Sequence, residues 1–163
     1  MKKTQIFIFD LDDTVIDSSH RAKLAVEDGK VVLDLEAWKR DSTHKNIMKD
    51  SLLPLATYMR ECIQAEHTYV WVCTARNMQS ADHEFLAKHG LTPNLVLSRQ
   101  LDDDTADHIL KKKMIGKLLN QRHDVYCVVN LTSNACLATT KHMNVTTLLH
   151  SCHAIELMNN KIP

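Results

Sequence analysis

Two aspartates near the start of the chain have the spacing of a reactive carboxylate pair. Asp10 and Asp12 follow Ile6-Phe7-Ile8-Phe9, an apolar run that is typical of a buried strand. Side chains two positions apart at a strand end point the same way, so the two carboxylates are expected to share one pocket. A divalent cation there would offset their repulsion and attract a phosphate, which an aspartate could attack. An acidic turn after a buried strand is the alternative interpretation.

A second apolar segment ends in residues that suit phosphate binding. Tyr69-Val70-Trp71-Val72-Cys73 predicts another buried strand, which ends at Thr74. The Thr74 hydroxyl could donate a hydrogen bond to a phosphoryl oxygen, and the planar guanidinium of Arg76 could neutralise its charge. A Thr74 cap on the following helix is the alternative.

The helix predicted within residues 106–121 carries a third group of charged side chains. Asp107 and Lys111 lie one helical turn apart and could interact along the helix. The apolar residues of this segment form a stripe at helical spacing, so its three consecutive lysines cannot all face one way. We take Lys111 as the lysine of the site and expect Lys112 and Lys113 to be solvated.

In this order, the segments resemble the motifs of the haloacid dehalogenase (HAD) superfamily. Asp10-Leu11-Asp12-Asp13-Thr14 is similar to its first motif, Asp-x-Asp-Gly-Thr, and Thr74-Ala75-Arg76 is similar to its second. Lys111 stands for the lysine of the third motif. The resemblance implies an α/β fold with a Rossmann-like parallel sheet and helices on both faces. It also implies a phosphatase that uses Mg²⁺ and forms an aspartyl-phosphate.

The resemblance assigns a role to each of these residues. Asp10 would be the nucleophile, and Asp12 would be the general acid and then the general base. Thr74, Arg76 and Lys111 would hold the oxygens of the transferring phosphoryl group.

Spacing along residues 5–131 is also similar to that of the 3'-phosphatase domains of phage polynucleotide kinase-phosphatases. By this resemblance Arg21, Arg76 and Asp107 would have substrate-binding roles. About fifty residues separate the first two motifs, which leaves room for a small cap or none. HAD phosphatases of that kind tend to accept large substrates. We therefore predict a nucleotide or a polynucleotide 3'-phosphate as substrate.

The fourth motif departs from the family pattern. The strand predicted over 125–129 is followed by Asn130 and Leu131, where the family has two aspartates, or by Asn130 and Asn134 for the spaced form of that pair. Mg²⁺ is then expected on Asp10, Asp12 and a backbone carbonyl, with Asn130 as a neutral ligand and with weaker binding. A catalytically degenerate HAD-fold protein with a binding or regulatory function is the alternative.

Composition predicts a single domain over residues 1–163. The chain is 44% hydrophobic and has 20 basic and 20 acidic residues, which argues against broad electrostatic binding to nucleic acid. A phosphorylated nucleotide or a nucleic-acid end needs only a local pocket. No signal peptide or membrane span is recognisable, so we expect no membrane partner and a cytoplasmic location, in a bacterial host if the protein is phage-encoded. A homo-oligomer is left open.

The five cysteines are an odd number without metal-binding spacing, and we expect them to be reduced thiols. The segment 150–153, His-Ser-Cys-His, fits no common zinc pattern. Alternating patterns predict strands near 5–10, 68–73, 94–98, 125–129 and 145–149. They also predict helices within 20–27, 43–65, 78–89, 106–121 and 133–142.

Overall fold

The structure, a computed structural model, describes residues 4–119, 125–132 and 144–149. In chain order its strands are β1 (Thr4–Phe9), β2 (Ile16–Asp17), β3 (Leu24–Glu27), β4 (Lys30–Leu33), β5 (Ser51–Leu52), β6 (Thr68–Thr74), β7 (Leu95–Ser98), β8 (Val125–Thr132) and β9 (Asn144–Leu149). Its helices are α1 (Leu35–Asp41), α2 (His44–Ile47), α3 (Leu55–Gln64), α4 (Ser80–Lys88) and α5 (Asp107–Leu119).

Five of these strands form one parallel sheet in the order β7-β6-β1-β8-β9. β1 lies in the centre because the chain first adds β6 and β7 on one side and then returns to add β8 and β9 on the other. In an open sheet of this kind, ligands bind outside the carboxyl ends of the strands where the order reverses. Asp10 comes directly after β1 and Thr74 ends β6, so both lie at that edge.

Side chains of the central strand alternate between two apolar clusters. Phe7 and Phe9 pack in a cluster with residues of α3 and α4, whereas Ile6 and Ile8 pack in a cluster with residues of α5. The helices therefore cover both faces of the sheet, as predicted. Because β1 is buried on both sides, its sequence is a continuous apolar run instead of an alternating one.

The predicted strands of the sheet and the helices α4 and α5 are confirmed, within a few residues at their ends. Residues 43–65 contain two helices, α2 and α3, which are separated by β5. β8 continues to Thr132, three residues beyond its predicted end, because it pairs with β9 up to that residue. The helix predicted within 133–142 lies outside the described residues.

The helix predicted within residues 20–27 is wrong. Ser19–Arg21 form one 3₁₀ turn, and β3 then pairs antiparallel with β4 in a two-stranded ribbon. Asp28 and Gly29 connect the two strands with positive φ angles of 50° and 74°, which is the turn geometry that suits a tight hairpin. Helix α1 was not predicted. It begins after Asp34, whose side chain accepts a hydrogen bond of 2.8 Å from the backbone N–H of Ala37.

We call residues 18–54, between β2 and α3, the cap segment. It contains the β3–β4 ribbon, α1, α2 and β5, and it is small, as predicted. Within the described residues, no helix combines the length and the apolar character that crossing a membrane requires. The described cysteines, Cys62 and Cys73, are buried.

Two glycines give a matched test of backbone conformation. Gly90 lies two residues after the end of α4 and has a φ of +69°, whereas Gly116 lies inside α5 and, within the described part of the chain, has open space where a Cβ would be. We expect Gly90→Ala to lower the free energy of unfolding by about 1–2 kcal/mol, because alanine is strained in the left-handed region. Gly116→Ala is expected to raise it by about 0.5–1 kcal/mol. Urea unfolding of both variants measures the two changes in the free energy of unfolding. Equal changes would contradict the left-handed conformation of Gly90.

Candidate active site

Asp10 lies at the carboxyl end of β1 and is only 4% exposed. One of its carboxylate oxygens accepts a hydrogen bond of 2.8 Å from the N–H of Leu11, and the other accepts one of 2.6 Å from the Lys111 ammonium. Lys111 also donates to Asp107 at 3.0 Å, one turn away on α5. Lys111 is buried, whereas Lys112 and Lys113 are exposed, as predicted. The structure therefore brings Asp10 next to Lys111 and Asp107, which are about a hundred positions away in sequence.

The protonation of this group follows from its burial and its ion pairs. Burial raises the pKa of Asp10 above the ordinary value of 3.8, although Lys111 and the Leu11 N–H oppose that shift. Burial alone would lower the pKa of Lys111, but its two carboxylate partners outweigh this effect and raise it. Lys111 thus remains a cation and supplies the positive charge next to Asp10.

Asp12 is held by a different cation. The Nε of Arg76 donates to one Asp12 oxygen at 3.2 Å, and the Nη2 of Arg76 donates to the other. The Ser18 hydroxyl adds a hydrogen bond of 2.6 Å to that second oxygen. Burial alone would raise the pKa of Asp12, but Arg76 and Ser18 outweigh it and lower the pKa below its usual range. Asp12 is therefore an anion in this state.

Arg76 was predicted to bind the substrate phosphate, and in the structure it contacts three carboxylates. Besides Asp12, it donates from Nη1 to Asp82 at 2.6 Å and from Nη2 to Asp50 at 3.5 Å. Asp82 is itself fixed, because its second oxygen accepts a hydrogen bond of 2.8 Å from the N–H of Gln79 in a capping box at the start of α4. Sequence reasoning missed Asp82, although the spacing of Gln79 and Asp82 is a capping signal.

Arg21 is 2% exposed and belongs to the same network. Its Nε and Nη2 donate to the two oxygens of Asp50 at 3.0 and 2.8 Å, and its Nη1 donates to the Ser42 hydroxyl at 2.8 Å. The guanidinium also lies 4.6 Å from the centre of the Trp38 ring. Each of its side-chain nitrogens thus has a protein partner, and its predicted contact with substrate stays a prediction. Nothing in the sequence marked Asp50.

The remaining residues of the first two motifs shape the backbone. The Thr74 hydroxyl is buried and accepts a hydrogen bond of 3.1 Å from the N–H of Arg76. Asp13 stands where the HAD motif has glycine and has a φ of +55°, so the turn requires the left-handed conformation that glycine adopts freely. Thr14 is buried, and its hydroxyl has no hydrogen-bond partner within the described part of the chain.

The charges at this edge of the sheet fit a divalent cation. Among the described residues, five carboxylates and three cationic side chains meet there, so this cluster has two negative charges in excess when all of them are ionised. They are Asp10, Asp12, Asp50, Asp82 and Asp107 with Arg21, Arg76 and Lys111. Carboxylate oxygens are suitable ligands for Mg²⁺. The described residues contain no group of three or more His, Cys, Asp or Glu side chains that could hold a metal ion alone, so backbone or water oxygens would have to complete the shell.

The register of β8 locates the unusual fourth motif. Asn130 pairs with Ile8 and Leu131 pairs with Phe9 across the parallel ladder between β8 and β1. Asn130 therefore lies inside β8, two positions before the level of Asp10, and not at the end of the strand as predicted. Its role as a metal ligand stays a prediction, as do those of Asp10 and Asp12.

Comparison with known proteins gives the family. Residues 1–145 match the protein family described as bacteriophage T5 5'-deoxynucleotidase. The chain belongs to this family. The 5'-deoxynucleotidase of Escherichia phage T5 is 43% identical over 89 residues, which are 54% of this chain and 36% of that relative. The alignment thus spans about a third of the relative's length.

Solved structures are similar to this chain in fold. A HAD-like hydrolase from Streptococcus pneumoniae has a TM-score of 0.50 and 14% identity over 78% of this chain and 75% of that chain. A phosphatase candidate from Clostridium difficile has a TM-score of 0.52 and 14% identity over 80% and 77%. A chain of the Pnkp1/Rnl/Hen1 RNA repair complex has a TM-score of 0.51 and 18% identity over 92% and 44%. At these identities the matches show the fold, and the predicted HAD-like fold is confirmed.

Membership in the 5'-deoxynucleotidase family refines the original resemblance. The HAD-like fold predicted from the motifs agrees with the solved structures, and the family that the chain belongs to is one of 5'-deoxynucleotidases. The family is named for a 5' nucleotide, whereas the spacing had suggested a 3'-phosphatase. The 3' substrate therefore stays a prediction.

Proposed function

We propose that this chain is a Mg²⁺-dependent phosphatase that hydrolyses 5'-deoxynucleoside monophosphates through an aspartyl-phosphate. The observation that carries the proposal is the pairing of Asp10 with Lys111 and of Asp12 with Arg76 at one edge of the sheet. Two carboxylates with separate cationic partners can perform separate tasks. The printed name of the family supplies the nucleotide and its 5' phosphate.

In the proposed first step, a carboxylate oxygen of Asp10 attacks phosphorus, and the bond between phosphorus and the 5' oxygen breaks. Asp12 gives a proton to the leaving 5' oxygen. In the second step Asp12 takes a proton from water, and the water oxygen displaces Asp10 to release inorganic phosphate. Lys111 and Thr74 would hold phosphoryl oxygens in both steps.

Arg76 links substrate binding to the proton on Asp12. In the structure this arginine lowers the pKa of Asp12, which must carry a proton to act as an acid. A dianionic phosphate would attract the same guanidinium, weaken its ion pair with Asp12 and so raise the pKa of that carboxyl. We therefore propose that Arg76 pairs with Asp12 in the free protein and shifts part of its hydrogen bonding to the phosphate when substrate binds. Asp107 keeps its predicted substrate-binding role as part of this proposal. Substrate contact by Arg21 is left out of it, because each of its side-chain nitrogens already has a protein partner.

Mg²⁺, held by Asp10, Asp12 and a backbone carbonyl with Asn130 as a neutral ligand, would supply positive charge to the phosphoryl group. The two excess negative charges of the site support this part of the proposal.

We also place the protein in the cytoplasm of a bacterial host, since its relative is a phage protein. A catalytically degenerate binding or regulatory protein is the competing function, because the fourth motif has Asn130 and Leu131.

The test is phosphate release from a 5'-deoxynucleoside monophosphate, a 5'-ribonucleotide and a 3'-phosphorylated oligonucleotide. We expect kcat/KM for the 5'-deoxynucleotide to exceed that for the oligonucleotide by at least about tenfold. EDTA should abolish release, and added Mg²⁺ should restore it. The opposite ranking would favour the polynucleotide 3'-phosphate, and release that resists EDTA would exclude the metal. No release from a folded protein would favour the binding function.

Asn130→Asp tests the fourth motif. We expect this variant to reach half-maximal activity at a Mg²⁺ concentration about tenfold lower, because a carboxylate adds a charged ligand that an amide lacks. Gln100→Glu, which makes the same chemical change at an exposed position, is the control and should leave the Mg²⁺ requirement unchanged. An unchanged Mg²⁺ requirement in Asn130→Asp would remove residue 130 from the metal site.

A further inference from the structure

We propose that Asp50 is a positioning residue, which aligns Arg76 on the acid/base Asp12 and through which Arg21 acts. This inference rests on the phosphatase reaction proposed above. Asp50 lies in the cap segment, 26 positions from Arg76 and 29 from Arg21. None of the motifs contains it.

The first support is the way in which Asp50 is buried. Asp50 is 6% exposed, and both of its carboxylate oxygens point at guanidinium groups. One oxygen accepts from Arg21 alone, whereas the other accepts from Arg21 at 2.8 Å and lies 3.5 Å from the Nη2 of Arg76. The His20 ring nitrogen also lies 3.6 Å from the first oxygen. A single carboxylate thus bridges two buried arginines.

The second support is the division of the Arg76 nitrogens. Nη1 donates to Asp82, which the capping box of α4 holds in place, and Nη2 is shared between Asp12 and Asp50. Anchors on both terminal nitrogens fix the plane of the guanidinium, and the Nε and Nη2 groups then meet the two Asp12 oxygens side by side. Without Asp50, Asp82 would be the one carboxylate besides Asp12 that still holds that plane, among the described residues.

The third support is that Arg21 is itself fixed from three directions. Asp50 accepts from two of its nitrogens, the Ser42 hydroxyl accepts from the third, and the Trp38 ring covers the guanidinium. Among the described residues, the hydrogen bonds of Arg21 thus lead to Asp12 through Asp50 and Arg76, which makes Arg21 a positioning residue in this scheme. Direct contact between Arg21 and the phosphate would have different kinetic consequences, described below.

The position of Asp12 matters most when the leaving group needs a proton. The nucleoside of a nucleotide substrate leaves as a poorly stabilised alkoxide unless Asp12 protonates its 5' oxygen, whereas p-nitrophenyl phosphate releases p-nitrophenolate, which is a stable anion. The kcat/KM value reports the steps up to the transfer of the phosphoryl group to Asp10, before water attacks the aspartyl-phosphate. A positioning defect should therefore lower kcat/KM for the nucleotide and spare the aryl phosphate. A general structural defect should lower both.

The experiment compares kcat/KM for a 5'-deoxynucleoside monophosphate and p-nitrophenyl phosphate in Asp50→Asn. We expect a loss of about tenfold or more for the nucleotide and of less than about threefold for the aryl phosphate. Asp41→Asn is the matched control, because this carboxylate also lies in the cap segment and pairs with a cation, Lys23, at 2.7 Å. The control should change neither value by more than about twofold.

Arg21→Gln and the double variant Arg21→Gln/Asp50→Asn test the coupling. If Arg21 acts through Asp50, Arg21→Gln shows the same selective loss and the double variant is no worse than Asp50→Asn alone. Equal losses on both substrates with a raised KM in Arg21→Gln would instead show direct contact with the phosphate and overturn the coupling. If Asp50→Asn does not fold, Ser42→Ala should give the selective loss at about threefold.

Equal losses on the two substrates in Asp50→Asn, or no loss at all, would overturn the positioning role while leaving the phosphatase assignment intact. Failure of the wild-type protein to release phosphate from either substrate would overturn the proposed function and this inference with it. The wild-type rates and the ratio between substrates thus distinguish the two failures.

Discussion

Replacing Asp10 by asparagine is expected to lower phosphate release by at least about 10⁴-fold. An amide oxygen is a poor nucleophile, and the amide cannot form the aspartyl-phosphate that links the two proposed steps. The protein should stay folded, because the Lys111 ammonium keeps its second partner, Asp107, at 3.0 Å.

The measurement for Asp10 has two parts. Initial rates give the loss of turnover, and acid quenching with a nucleotide labelled in its phosphate gives the protein-bound phosphate, which only the wild type should retain. Asp13→Asn is the matched control, since Asp13 is an exposed carboxylate of the same motif and asparagine tolerates its φ of +55°. Residual turnover above about 1% in Asp10→Asn would remove Asp10 as nucleophile.

Lys111→Met is expected to impair both activity and stability. Turnover should fall by about 10³-fold, because the cation beside the nucleophile and the phosphoryl oxygens is lost. The free energy of unfolding should fall by about 3–5 kcal/mol at neutral pH, because Asp10 and Asp107 would be left without their common cation. Lys112→Met, an exposed lysine on the same helix, is the control and should change stability by less than about 0.5 kcal/mol.

The stability of Lys111→Met should also depend on pH in a defined direction. Burial already raises the pKa of Asp10 above 3.8 in the wild type, and loss of Lys111 removes the main opposing effect. A carboxyl with a raised pKa binds its proton more tightly in the folded chain than in the unfolded chain. The stability of the variant should therefore fall as the pH rises above about 4 and through the raised pKa. Urea unfolding at several pH values measures this, and a pH-independent deficit relative to the wild type would contradict it.

The sheet could be predicted from sequence because its strands are buried on both faces. Ile6 to Phe9 and Val70 to Cys73 are continuous apolar runs that end in polar residues, and this pattern marks both the strand and its carboxyl end. The β3–β4 ribbon was missed for the opposite reason. Val26 and Val31 are exposed and form a cross-strand pair, so neither burial nor periodicity marks these strands.

The residues of the site also divide into those that the sequence predicts and those that it does not. Asp10, Asp12, Thr74 and Lys111 could be predicted because each follows or lies on an element with a clear pattern, and the parallel sheet brings strand ends together. Asp50 could not be predicted, because its partners are 26 and 29 positions away and no local pattern depends on it. The orientation of Arg76 depends on its tertiary contact with Asp50. The prediction that Arg76 contacts phosphate did not include the three carboxylates that surround this arginine.

The bridge formed by Asp50 also has a consequence for how the molecule opens. Arg21, Ser42 and Asp50 belong to the cap segment, whereas Arg76 and Asp82 belong to the sheet edge and to α4. Local opening of the cap segment would expose buried charges on both sides of that boundary, so the two regions should exchange their amide hydrogens as one cooperative unit. Denaturant that loosens the cap segment would then also loosen the sheet edge at Arg76, so activity and the structure of both regions should be lost together.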